Sequence, residues 1–276
     1  MTLWYFVNII LTLILIILSV VFIIIPAPMK TSLKDFTLVA SESDPATNAE
    51  VKDLYTLYSR PNNKKLLVWF QGGAFLLNNR KTSYGILNAL NDALIEFDVL
   101  VFDYPLRFSH SVHDAMLATN KILEQFYAYD EYYAAGFSVG ALLMGAFMQK
   151  ELNKEIARKV DVPVIGIQFK AIISLCGVYS MKFDCLLLNL ISRLYIMRGT
   201  PNPHLYSYHG LLSVPLLVIS ATSEFLYTET YKFTKSTACE LKVFRGALLP
   251  HEFPLMLEFP ETKESIESVI EFLRAN

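Results

Sequence analysis

Residues 136–140 read Gly-Phe-Ser-Val-Gly, a G-x-S-x-G pentapeptide set between an apolar run at 132–135 and an apolar stretch at 141–148. A strand that turns sharply into a helix pushes the central side chain outward, and small flanking residues relieve the clash such a turn creates. Ser138 is therefore a candidate nucleophile. The plainer alternative is an ordinary turn with an N-capping serine. A serine hydroxyl attacks poorly near neutral pH unless a base removes its proton. Five histidines are available: His110, His113, His204, His209 and His251. Only His251 follows a late strand-like run (241–244) and precedes a final helical stretch, where a base could meet the serine at one end of a sheet.

An imidazole acting as base needs a carboxylate to hold its tautomer and to stabilise the imidazolium. Ser220-Ala221-Thr222-Ser223-Glu224 follows the apolar run 214–219, and Glu224 lies 27 residues before His251. Glu229 is the fallback, although a helix would carry it away from the site. The order Ser138, Glu224, His251 is that of hydrolases built on a strand-to-helix nucleophile turn. Attack on a carbonyl creates an oxyanion, and losing one preorganised donor to it costs about 3 kcal/mol of barrier. Gln71-Gly72-Gly73-Ala74-Phe75 follows the run 66–70, and a glycine loop can bring its backbone close to a reacting group. The N–H groups of Gly73, Ala74 and Val139 are the expected oxyanion hole; a plain Gly-Gly turn is the alternative.

The elements that must position these groups are legible as an alternation. Short continuous apolar runs at 66–70, 99–102, 132–135, 171–175, 214–219 and 241–244 read as strands buried on both faces. Helical spacing appears at 112–126, 141–148 and 261–273. Strands alternating with helices predict an α/β fold with a mostly parallel central sheet and helices on both faces. Residues 177–213 break the alternation and read as a helical cap insertion; an ordinary packing helix is the alternative.

The chain has 276 residues, 53% of them hydrophobic and 18% charged, which excludes a disordered protein. Its 24 basic and 26 acidic side chains form no basic stripe, so no nucleic-acid partner is expected. Three cysteines without a CxxC spacing give neither a disulfide framework nor a structural zinc site.

No charged side chain precedes Lys30, and residues 3–25 are interrupted only by Asn8, Thr12 and Ser19. A bilayer core of roughly 30 Å takes about 20 helical residues. Trp4 and Tyr5 suit an interface, and Pro26 and Pro28 would end the helix. Residues 1–29 are thus expected to be an uncleaved transmembrane anchor. A cleavable signal peptide is the rival, but it usually starts basic, with an apolar stretch of about 7–15 residues. Residues 30–50 read as a linker and 51–276 as the main domain. Lys30 and Lys34 follow the span, which favours a cytosolic main domain; a lumenal one is the alternative.

Together these pieces resemble the α/β-hydrolase superfamily, and within it the hormone-sensitive-lipase group that includes the membrane-anchored arylacetamide deacetylases. That group carries an early HGGG loop, where Gln71-Gly72-Gly73-Ala74 stands here. Its Asp-Tyr pair after the next strand is matched by Asp103-Tyr104, and His113-Asp114 falls where a later acidic position leads into a helix. The group's elbow is usually G-D-S-A-G; here Phe137 replaces the acid, and Glu224 replaces the commoner aspartate. Ala74 in place of a glycine requires a negative φ or a small strain. The resemblance spans roughly residues 60–275. It implies an α/β-hydrolase fold and a membrane-anchored serine hydrolase cleaving carboxylic esters, with no metal or organic cofactor. The substrate would be a small-molecule or lipid ester. The rival readings are an amidase or formamidase with the same triad, and a non-catalytic binding protein that keeps the fold.

Overall fold

The computed structural model describes residues 44–73, 80–105, 110–182, 189, 192, 203–206, 214–245 and 248–276. The expected anchor (1–29), most of the linker, Ala74 and most of the expected cap insertion lie outside the described residues. Among the described residues no helix is long and apolar enough to cross a membrane.

Among the described residues eight strands form one sheet: β1 (Ala49–Val51), β2 (Tyr55–Tyr58), β3 (Lys65–Phe70), β4 (Phe97–Phe102), β5 (Glu131–Phe137), β6 (Phe169–Leu175), β7 (Leu216–Ala221) and β8 (Glu240–Phe244). Their spatial order is β1-β2-β4-β3-β5-β6-β7-β8. The β1–β2 and β2–β4 pairs are antiparallel and all others are parallel. Ala49–Val51 belongs to the sheet, so the expected linker stops short of residue 50. Its polar composition hid a strand because an edge strand needs only one partner.

The continuous apolar runs are continuous because successive side chains enter opposite cores. Leu66, Val68 and Phe70 of β3 face one hydrophobic cluster, while Leu67 and Trp69 face the other. Helices α1 (Tyr84–Ala93), α2 (Val112–Leu123), α3 (Val139–Leu152), α4 (Lys154–Val160), α5 (Tyr227–Ser236) and α6 (Pro260–Ala275) flank the sheet. α2 and α3 pack into the first cluster, and α1 and α6 into the second. The start of α2 is fixed by a capping box: Ser111 accepts from the Asp114 N–H, and the Asp114 carboxylate accepts from the Ser111 N–H. α3 is buried from Val139 through Lys150, which explains an apolar composition on every side rather than on one stripe.

Candidate active site

The carboxyl ends of β3, β5, β7 and β8 deliver the groups singled out by the sequence. Such an edge is where ligands bind in open α/β sheets. Ser138 follows β5 directly and caps α3. Its φ of 53° and ψ of −123° lie outside the regions ordinary residues favour. Hydrogen bonds hold this conformation: the Ser138 N–H donates to the Leu175 carbonyl (3.0 Å), and the Ser138 carbonyl accepts from Val178 (3.0 Å) and Ala141 (3.1 Å). Gly140 permits the turn by close approach. A Cβ there would lie 2.0 Å from the Phe70 carbonyl oxygen.

The His251 Nε2 stands 2.9 Å from the Ser138 Oγ, and its Nδ1 stands 3.0 Å from the Glu224 Oε2. An ionised carboxylate only accepts, so Nδ1 carries the proton and Nε2 is left to accept from the serine hydroxyl. All three residues are buried. Glu224 is fixed by two further donors, the Ser220 hydroxyl to Oε1 (3.0 Å) and the Leu226 N–H to Oε2 (2.8 Å). The loops that carry acid and base are tied together by Ser223. Its hydroxyl donates to the Leu249 carbonyl (3.0 Å) and accepts from the Leu249 N–H (2.9 Å). Glu229, the fallback acid, lies in the first turn of α5, with Lys232 3.8 Å away. His110 is exposed and His113 half-buried at the start of α2.

Val139 is the first residue of α3, where backbone N–H groups lack intrahelical acceptors. Gly73 follows β3 with φ of 112°, a value that disfavours any side chain. These are two of the three donors expected from the sequence. The backbone that leads into Gly73 is braced through Asp103. The Gln71 amide donates to the Asp103 Oδ1 (2.8 Å) and to the Phe102 carbonyl (2.9 Å). The Arg80 N–H also donates to Oδ1 (3.1 Å), and its guanidinium pairs with Oδ2. One carboxylate therefore ties Gln71 to Arg80. The Tyr104 hydroxyl donates to the Gln71 carbonyl (2.7 Å), and burial pushes its ionisation well above the usual phenol range. Arg80 was missed from sequence because its partner is 23 residues away, with no local pattern joining them.

Cys176 follows β6 with φ of 45° and is fully buried. One ligand atom each from Cys176, Glu224 and His251 lie within 4.8 Å of one another, the one such group among the described residues. The donor set fits a metal poorly. Glu224 and His251 already bond each other, and burial pushes the thiol ionisation far up, reinforced by the Glu224 and Glu252 charges. A metal ligand must be a thiolate.

No protein-family model matches the sequence, and no curated protein matches it. Solved structures do. Esterase B from Lactobacillus rhamnosis, in a structure with a tributyrin phosphonate, has a TM-score of 0.73 at 17% identity, covering 90% of this chain and 92% of that one. An esterase/lipase from an uncultured bacterium has a TM-score of 0.68 at 17% identity, with 91% of each chain covered. An esterase from the bacterial hormone-sensitive lipase family has a TM-score of 0.65 at 20% identity, covering 84% of this chain and 86% of that one. At these identities the likeness establishes the α/β-hydrolase fold.

Proposed function

We propose that this chain is a serine hydrolase that cleaves carboxylic esters, with Ser138, His251 and Glu224 as its triad. One observation carries the reading: a strained serine at a strand-to-helix turn, bonded to a buried imidazole that is itself bonded to a buried carboxylate. Esterases among the structural neighbours, spread over most of the chain, support it.

In this reading His251 Nε2 takes the Ser138 proton as Oγ bonds to the ester carbonyl carbon. The oxyanion is met by the N–H groups of Val139, Gly73 and, as expected from sequence, Ala74. Collapse breaks the bond to the alcohol oxygen, which receives the proton from Nε2. Water then repeats the sequence on the acyl-enzyme, releasing the acid and restoring the serine. Glu224 holds Nδ1–H throughout and stabilises the imidazolium. The reading needs no metal or organic cofactor. Residues 3–25 supply the membrane anchor, on the strength of their length and lack of charge.

A fluorophosphonate probe on membranes of expressing cells tests both parts. Wild type should label and Ser138→Ala should not. The labelled band should resist an alkaline carbonate wash and be released once residues 1–29 are deleted. Equal labelling of Ser138→Ala overturns the nucleophile; wash-out of the full chain overturns the anchor.

A further inference from the structure

The imidazole of His251 is in contact with two phenyl rings. Phe137 lies 5.3 Å away between ring centroids and is tilted by 36°; Phe225 lies 4.6 Å away and is tilted by 49°. The two differ in burial. Phe137 is 5% exposed and belongs to the hydrophobic core. Phe225 is 66% exposed, so core packing does not account for it. Its place is fixed, because it sits between Glu224, which bonds His251, and Leu226, whose N–H bonds Glu224. Leu248, 95% exposed, lies three residues before His251, next to the Leu249 backbone pinned by Ser223.

The chemistry of His251 says what stands beside that ring. On the reading proposed above, Nε2 returns its proton to the leaving alcohol, whose oxygen must come within about 2.6–3.2 Å of it. The first carbons of the alcohol then lie beside the imidazole, within reach of a ring this close to it. Aromatic groups pair best with centroids about 4.5–7 Å apart. We propose that Phe225 is a specificity-determining wall of the leaving-group site and that the substrates are esters of aryl-bearing alcohols. This rests on the esterase reading and deepens it.

The test compares two acetates whose alcohols have similar acidity, benzyl acetate and 2-methoxyethyl acetate, with acetylcholine as a third ester, on the full chain in detergent. The Phe225→Ala change should lower kcat/KM for the benzyl ester about ten-fold more than for the methoxyethyl ester, the scale of one lost aromatic contact with its buried area. Phe225→Tyr, which keeps the ring, should restore the wild-type ratio. An unchanged ratio in Phe225→Ala overturns the inference. Equal loss on both esters would mean that the ring merely steadies His251, and also overturns it. Stronger loss on acetylcholine than on benzyl acetate would assign the ring to a cationic alcohol instead. Absence of Ser138-dependent hydrolysis of every ester is a separate result; it removes the esterase reading, and this inference with it.

Discussion

Ser138 keeps a backbone conformation that costs on the order of 1–3 kcal/mol, and three backbone hydrogen bonds together with the missing Cβ of Gly140 hold it there. Strain of that size is retained where it aims a side chain, and here it aims Oγ at Nε2. The three site residues should act as a unit. His251→Ala should lower turnover of a soluble ester about as far as Ser138→Ala, roughly 10⁶-fold if the unit resembles a studied protease. Glu224→Gln should cost less, roughly 10⁴-fold, since it disturbs the tautomer while leaving nucleophile and base in place. Single-turnover and steady-state rates for the three variants check this. Near-full activity in His251→Ala would sink the assignment, and a larger loss in Glu229→Gln than in Glu224→Gln would move the acid. The candidate nucleophile was legible because its neighbours in sequence are also its neighbours in space. The partners of Gln71 were not, since its amide meets Asp103 across a gap of 32 residues. Phe225 was not either, because an aromatic residue in a loop looks the same in sequence whether it lines a site or fills a core.

At the scale of elements, the parallel strands announced themselves because burial on both faces leaves no polar alternation. α1 was not announced: Tyr84–Ala93 contains a glycine and two asparagines, and its helicity comes from packing Ile86, Leu87 and Leu90 into the core. β2 is only four residues long and is defined by its antiparallel partner β4, more than forty positions on. α4 was likewise unannounced; its start is capped by the Asn153 side chain, which accepts from Glu155 and Ile156. The connection from α4 to β6 is pinned by a charged pair that the sequence shows only as two adjacent residues. Lys150, at the end of α3, is fully buried, donates to the Pro163 carbonyl (2.8 Å), pairs with Glu151 and lies 4.2 Å from the centre of the Phe147 ring. Glu151 in turn accepts from Ile165 (3.1 Å) and Gly166 (2.7 Å). Removing one partner of a buried pair strands the other, so Lys150→Ala should lower the unfolding free energy by about 3–5 kcal/mol. Urea denaturation measures it, and a loss below about 1 kcal/mol would class the pair with exposed ones.

Across the whole molecule the ionisable groups set an alkaline limit. Burial raises the phenols of Tyr133 and Tyr206 to about 12, and those of Tyr58, Tyr104, Tyr129 and Tyr179 further. The unfolded chain loses these protons first, near pH 10, so the folded state binds more protons above that point. Their contribution to stability is complete below about pH 10 and is lost as pH rises through the folded values. Lys150 acts in the opposite sense. Burial lowers its amine from 10.5, and its contribution improves with pH until that value is passed. With eight raised phenols, Tyr127 and Tyr132 included, against one lowered amine among the described residues, denaturation midpoints should fall steeply above about pH 10, in step with tyrosinate absorbance. A flat profile there would mean that the phenols titrate in the folded protein as they do in the unfolded chain.

The order of the strands has one more consequence. The hydroxyl arrives at the end of β5, in the middle of the sheet, whereas the imidazole waits on the loop beyond β8, the outermost strand on its side. If Ser138 and His251 act as proposed, the ribosome carries a chain with a nucleophile and no proton acceptor until almost the last helix has emerged. Fragments that stop before β8 would then lack the base, and a nascent or prematurely ended copy should not attack surrounding esters before its fold is complete.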